Sequence, residues 1–271
     1  MADVSPTPEQ RAFPQIDTTV PHSARIWNYW LGGKDYYEVD KAAGDQFAAG
    51  FPAIAATARA FREFLGRAIR HLAGEAGVRQ FLDIGTGLPT ADNTHEIAQR
   101  VAPESRIVYV DNDPLVLAHA RALLTSTPEG ATDYLHADLH DTPAILRDAA
   151  GTLDFTRPVA LILSGILGHL PDYEEARSIV KRLVDALPSG SYLVVCDGTD
   201  TDETLRETQE HHNEGGASMY HLRSPEQIAG FFDGLELLEP GVVPCSRWRP
   251  ETSTTGTLTE AHAYSGVGRK P

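Results

Sequence analysis

The residues Phe81-Leu-Asp-Ile-Gly-Thr-Gly87 place an apolar run, a carboxylate and two glycines in the order of a strand ending in a tight turn. Glycine lets a backbone turn sharply and approach a ligand that a Cβ would keep away. At the carboxyl end of a parallel strand, such a turn lies where open α/β sheets bind ligands. A Gly-x-Gly alone also suits an ordinary strand-to-helix connection. Asp83 shifts the balance, because a carboxylate just ahead of the glycines repels a pyrophosphate and suits an ammonium. The third glycine of a dinucleotide fingerprint is also missing, with Thr90 in its place. S-adenosylmethionine, which has an α-amino group, a sulfonium and no phosphate, fits this turn better than NAD does.

Other residues gather at the same level if the later apolar runs are also strands. Asp111 closes Ile107-Val-Tyr-Val-Asp and follows the glycines at close to the interval of about 20 residues at which an acid takes ribose hydroxyls. Asn112 is grouped with it, while Asp113, just before Pro114, reads as a helix N-cap. Asp138 and Leu139 end a third run. There a carboxylate can accept from an adenine amino group and a backbone amide can face a ring nitrogen; a loop-capping role for Asp138 is the alternative. Ser164 and Gly165 end a fourth, leaving room for a ligand.

The elements that must hold these residues show an alternating rhythm. Strands are predicted at 80–84, 106–110, 133–136, 159–163 and 192–196, with helices near 94–101, 114–124, 143–148 and 173–186. Runs rich in Val, Ile and Leu argue for a mainly parallel sheet covered on both faces. A helix over 54–73 precedes them, with Phe61, Phe64, Leu65, Ala68, Ile69 and Leu72 at steps of three and four. A shorter one over 23–31 should stop at Gly32-Gly33. After Cys196 come a helix around 203–212, a short one capped by Ser224, and two late strands, 235–238 and 262–267, that should pair antiparallel at the sheet edge.

The sequence divides into a polar, flexible stretch over 1–15, a helical cap or lid region over 16–74, and a cofactor-binding domain over 75–271. Its net charge of −15 disfavours nucleic acid and anionic lipid, which need clustered Lys and Arg. Arg247 and Arg249 make only a thin basic patch. No run of about 18 apolar residues suggests a membrane span, and no export signal is seen, so the expected compartment is the cytoplasm. Cys196 and Cys245 read as buried free thiols, and no metal site is expected.

The chain resembles the class I, Rossmann-like S-adenosylmethionine-dependent methyltransferases, and within them an actinobacterial family of largely unassigned substrate. The resemblance spans about 16–270. It rests on Pro21-His-Ser-Ala-Arg-Ile-Trp-Asn-Tyr-Trp-Leu-Gly-Gly-Lys-Asp35, Gln80-Phe-Leu-Asp-Ile-Gly-Thr-Gly-Leu-Pro-Thr90 and Val108-Tyr-Val-Asp-Asn-Asp-Pro114, supported by Pro240-Gly-Val-Val243, Trp248-Arg-Pro250 and Gly266-Val-Gly-Arg-Lys270. It implies a seven-stranded sheet with an antiparallel last strand. It also implies that Asp83, Gly85 and Gly87 line the methionine side, that Asp111 holds the ribose and that Asp138 holds the adenine; Thr86, between the glycines, is grouped with the cofactor-binding residues. Tyr36, Phe61 and Gly168 depart from the family pattern, which weakens any transfer of the substrate.

Methyl transfer is an in-line displacement that mainly needs alignment and exclusion of water, with a base only when the acceptor must lose a proton. His169 and Asp197 are the candidates for that base, with His211 and His212 behind them. The segment from Tyr29 to Tyr37 could form a lid, with Tyr29 and Gly33 against the cofactor. The acceptor is expected to be a small molecule. A non-catalytic sensor of the same cofactor and an NAD-dependent dehydrogenase are the rival readings.

Overall fold

Four strands buried along almost their whole length explain why the apolar runs do not alternate with polar residues. In the computed structural model, which describes residues 16–90, 92–123, 125–216, 218–250 and 261–271, these are β1 (Gln80–Ile84), β2 (Arg106–Asp111), β4 (Ala160–Ser164) and β5 (Tyr192–Gly198). β3 (Ala131–His136) is only half-buried because it forms one edge. The order is β3-β2-β1-β4-β5-β8-β6, with the first five strands parallel. β8 (Ala263–Arg269) enters antiparallel beside β5. The far edge is shared by two short pieces: β6 (Glu236–Leu237) pairs with Arg269 and Gly268, and β7 (Val243–Pro244) with Ser265 and Tyr264. The sheet therefore has eight strands rather than the expected seven, because its last edge position is broken in two.

Alternate residues of each strand enter separate cores. Phe81, Ile107, Ile162 and Val194 face α3 (Ile54–Gly74) and α4 (Thr94–Val101). Leu82, Val108, Leu161 and Val195 face the side covered by α6 (Thr142–Ala149), α7 (Tyr173–Asp185) and α9 (Pro225–Gly230). Asp83 lies in register with Phe81, so its side chain points toward α3. Cys196 and Cys245 meet inside the first core as buried free thiols. Trp248 is fully buried there, edge-on to Phe64 at 5.4 Å, and Arg67 binds the carbonyls of Trp248 and Cys245. Arg249 packs over the Trp248 ring and donates to the Glu239 carbonyl, which makes it part of this anchor.

Before α3 the chain adds two more helices, which pack on α3 and on each other and form a cap beside the sheet. α1 (Ser23–Trp30) stops at Gly32, whose φ is +81°, as the sequence predicts. α2 (Glu38–Gly50) is a helix that periodicity did not reveal, since only Asp40, Gly44 and Phe47 in it are buried. Gly44 lets the two helices touch: a Cβ there would sit 2.7 Å from the Tyr29 ring. Asp40, with no exposed surface, accepts from the amides of His22 and Tyr37 and lies 3.4 Å from Arg25 Nε. Arg25 in turn holds the carbonyls of Asp17 and Val20. This buried knot fixes residues 17–25 above the sheet. The expected flexible stretch over 1–15 lies outside the described residues, as does most of the polar segment after Arg249. None of the described helices is long and apolar enough to cross a membrane.

Candidate active site

The order of strands reverses between β1 and β4, and a cavity of about 570 Å³ opens over their carboxyl ends. Its floor is the predicted turn. Gly85 and Gly87 have φ of +74° and +66°. A Cβ on Gly85 would lie 2.7 Å from the Ile166 side chain, whereas one on Gly87 would project into open space. Gly85 and Thr86 donate to the Val110 carbonyl, tying the turn to β2.

Two carboxylates stand beside this floor. Asp83 is 5% exposed and accepts from the Thr94 hydroxyl at 2.6 Å. Burial pushes it up to about 6, against the downward pull of that hydrogen bond and of Arg62. Arg62 comes from α3, lines the same cavity and anchors on the Asp92 carbonyl at 2.8 Å. Asp111, 7% exposed, accepts from the amides of Gly87 and Asp113, both at 2.9 Å. A carboxylate has about four lone-pair positions, so both oxygens keep capacity for ligand hydroxyls. Burial raises Asp111 as well, with the two amides opposing. Asp113 accepts from the Leu115 amide and so caps α5 (Pro114–Leu123) as expected; its other oxygen lies 3.1 Å from His22 Nδ1.

The cavity brings together Asp83, Gly85, Thr86, Gly87, Asp111, Asn112, Ser164 and His169 from the predicted set. It does not bring in Tyr29, Gly33, Asp138, Leu139 or Asp197. The Tyr29 hydroxyl bonds Asp45 on the outside of the cap, and Gly33 packs against Asn28. Residues 20–28, rather than 29–37, carry most of the cap's share of the wall. Asp138 takes the amide of His140 at 2.9 Å, the loop-capping geometry named as its alternative, and Leu139 is buried in the second core. Asp197 is 1% exposed behind Tyr220, which donates to it, and Arg223 lies 3.7 Å away. Burial pushes Asp197 up to about 7, with Arg223 opposing. Of the two polar-segment histidines, His212 lines the cavity and His211 faces Glu214 and Gln46.

Of the two leading candidates for the base, Asp197 does not reach the cavity and His169 does. Its Nδ1 lies 2.8 Å from the Met219 carbonyl. A carbonyl only accepts, so Nδ1 carries the proton and Nε2 keeps its lone pair. Burial moves its pKa downward, with the Met219 bond opposing, which favours the neutral ring. Sequence reasoning missed Arg62, Thr57, His22 and Tyr220. Arg62 and Thr57 share a face of α3 with recognised core positions, a spacing that could have shown them; His22 and Tyr220 are placed by loops and carry no such signal.

The sequence profile of a family of S-adenosyl methyltransferases matches residues 9–271. The chain belongs to this family. It is therefore an S-adenosylmethionine-dependent methyltransferase, and the dehydrogenase reading falls. A crystal structure of a DUF574 family protein from Streptomyces avermitilis MA-4680 is 48% identical, covers 95% of this chain and all of its own, and superposes with a TM-score of 0.89. A protein from Thermobifida fusca YX with a provisional methyltransferase designation is 40% identical over 95% of this methyltransferase and 97% of its own chain, with a TM-score of 0.86. No curated protein matches.

Proposed function

We propose that this methyltransferase methylates a small molecule, with the cofactor held by Asp83, Arg62, the Gly85–Gly87 turn and Asp111, and with His169 as the proton acceptor. One observation carries the reading: a single cavity is floored by strand tips and roofed by the cap. Its lining includes one arginine, Arg62, and no lysine among the described residues. A polymeric phosphate backbone would need a basic channel. A cavity of this volume falls in the range of about 300–1,000 Å³ typical of small-molecule sites.

The residues fit the cofactor. Asp83 and Arg62 offer opposite charges for the ammonium and carboxylate of an amino acid. Gly87 leaves open the space that a side chain would fill. Asp111 is pre-oriented by two amides yet retains acceptor capacity for ribose hydroxyls. When bound, S-adenosylmethionine supplies a methyl carbon activated by its sulfonium. The chain's own work is to align the acceptor with that carbon, to keep water out under the cap, and to receive a proton at His169 Nε2.

The test is to incubate the full chain with methyl-labelled S-adenosylmethionine and fractions of small metabolites, bulk RNA, DNA and protein. Label in the small-molecule fraction is the expected result. Label in a macromolecular fraction alone contradicts the reading.

A further inference from the structure

The far end of the cavity, under the cap, has a chemistry of its own. Five aromatic rings run in sequence along its wall. Phe61 meets Trp27 at 5.2 Å, Trp27 meets Trp30 at 5.9 Å, Trp30 meets Phe47 at 5.1 Å, and Phe47 meets His212 at 5.5 Å. All five line the cavity. Apart from histidines, the charged residues in the described lining are Arg62, Asp83 and Asp111, and all three belong to the strand-tip end. An anionic group placed among the rings would lose its hydration without gaining a counter-charge.

One buried hydroxyl in this wall lacks a partner. Thr57, on α3 and 4% exposed, lines the cavity, and its hydroxyl has no hydrogen-bond partner in the protein. Buried hydroxyls are normally satisfied, so an orphan in a cavity wall points to a polar group on the ligand. A second polar feature is His169, whose fixed tautomer presents a lone pair. A base is of use only to an acceptor that must shed a proton, as a hydroxyl does.

We propose that the methyl acceptor is a flat phenolic compound without an anionic group, bound among Phe61, Trp27, Trp30 and Phe47 with a second polar substituent at Thr57. This rests on the cofactor reading above. The phenolic oxygen forms a bond to the methyl carbon with its own electron pair. The carbon–sulfur bond breaks, and its pair stays on sulfur as a neutral thioether. The phenolic proton moves to His169 Nε2 and later to solvent. The products are an aryl methyl ether, S-adenosylhomocysteine and one proton.

Calorimetry on the full chain loaded with S-adenosylhomocysteine tests this, with 2-naphthol, naphthalene-2-sulfonate and 2,6-dihydroxynaphthalene as probes. The neutral naphthol should bind, and the sulfonate should bind at least about tenfold more weakly because its charge has no partner. The diol should bind about three- to tenfold more tightly than the naphthol, and Thr57→Val, which keeps the side-chain shape, should erase that gain. Trp30→Ala should weaken naphthol about tenfold or more while sparing S-adenosylhomocysteine. Phe47→Leu provides the same comparison if the first variant does not fold. Equal or tighter sulfonate binding, no naphthol binding by a protein that takes S-adenosylhomocysteine, or indifference to both Trp30→Ala and Phe47→Leu overturns the proposal. Failure to bind S-adenosylhomocysteine brings down the cofactor reading instead.

Discussion

The two ends of one cavity are built on different plans. The strand-tip end is polar, made mainly from two short stretches, 83–87 and 111–113, and fixed by main-chain amides: Gly85 donates to the Val110 carbonyl, and Gly87 and Asp113 donate to the Asp111 carboxylate. The cap end is aromatic and assembled from side chains on three helices, with further pieces such as Tyr220 and His262 arriving from the C-terminal third. The contrast teaches that an invariant ligand can be served by main chain and carboxylates at a topological switch point. A more variable ligand is served by packed side chains on elements that can be replaced without disturbing the sheet.

Each end can be broken separately, and the largest effect is expected at their junction. Replacing His169 by Gln should lower the turnover of a phenolic acceptor about 10²- to 10⁴-fold, the usual contribution of a positioned base, with cofactor affinity unchanged in calorimetry. Asp83→Asn should cost about 2–4 kcal/mol of cofactor affinity, the scale for losing one partner of a buried charge pair, and should leave naphthol binding intact. An equal loss of both ligands in either variant would mean that the ends are not independent.

Smaller effects sharpen the same division. Burial pushes Asp83 up to about 6, and only its carboxylate form pairs with an ammonium. Cofactor affinity should therefore be level between that value and the titration of the ligand's own ammonium, and fall by up to about tenfold per pH unit below it. Asp83→Asn should flatten this part of the profile. A slope of the opposite sign would deny the pairing. At the cap, Gly44→Ala drives a Cβ to 2.7 Å from the Tyr29 ring. It should lower thermal stability by about 1–3 kcal/mol through overpacking. Thermal melts read this directly, and an unchanged melting temperature would show that α1 and α2 approach less closely.

The same contrast governs what was readable before the fold was known. Strands and their terminal acids follow from local rules, so Asp83, Gly85, Gly87 and Asp111 could be placed on one crevice from their spacing alone. Asp138 shows the limit of that logic: it occupies the expected strand end, yet its carboxylate turns back onto His140. The cap was harder. α2 hides because Gly44 and Gly50 lower its helix propensity and Ala42, Ala43, Ala48 and Ala49 give little apolar contrast. Residues 17–25 are held by Asp40 and Arg25 through bonds that no periodicity encodes. Asp197 looked catalytic as an acid at a strand tip, but Tyr220 closes it off from the cavity. The late edge was predicted as one pair of strands and is three, because β8 serves β6 and β7 along separate halves.

Crystals of the full chain grown with S-adenosylhomocysteine give the most direct test of where the two ends divide. The amino-acid moiety should lie between Asp83 and Arg62, the ribose hydroxyls should bond to Asp111, and the sulfur should point toward the ring of His169 and the aromatic wall. A nucleoside bound among Trp27, Trp30 and Phe47, with the glycine turn empty, would contradict the account.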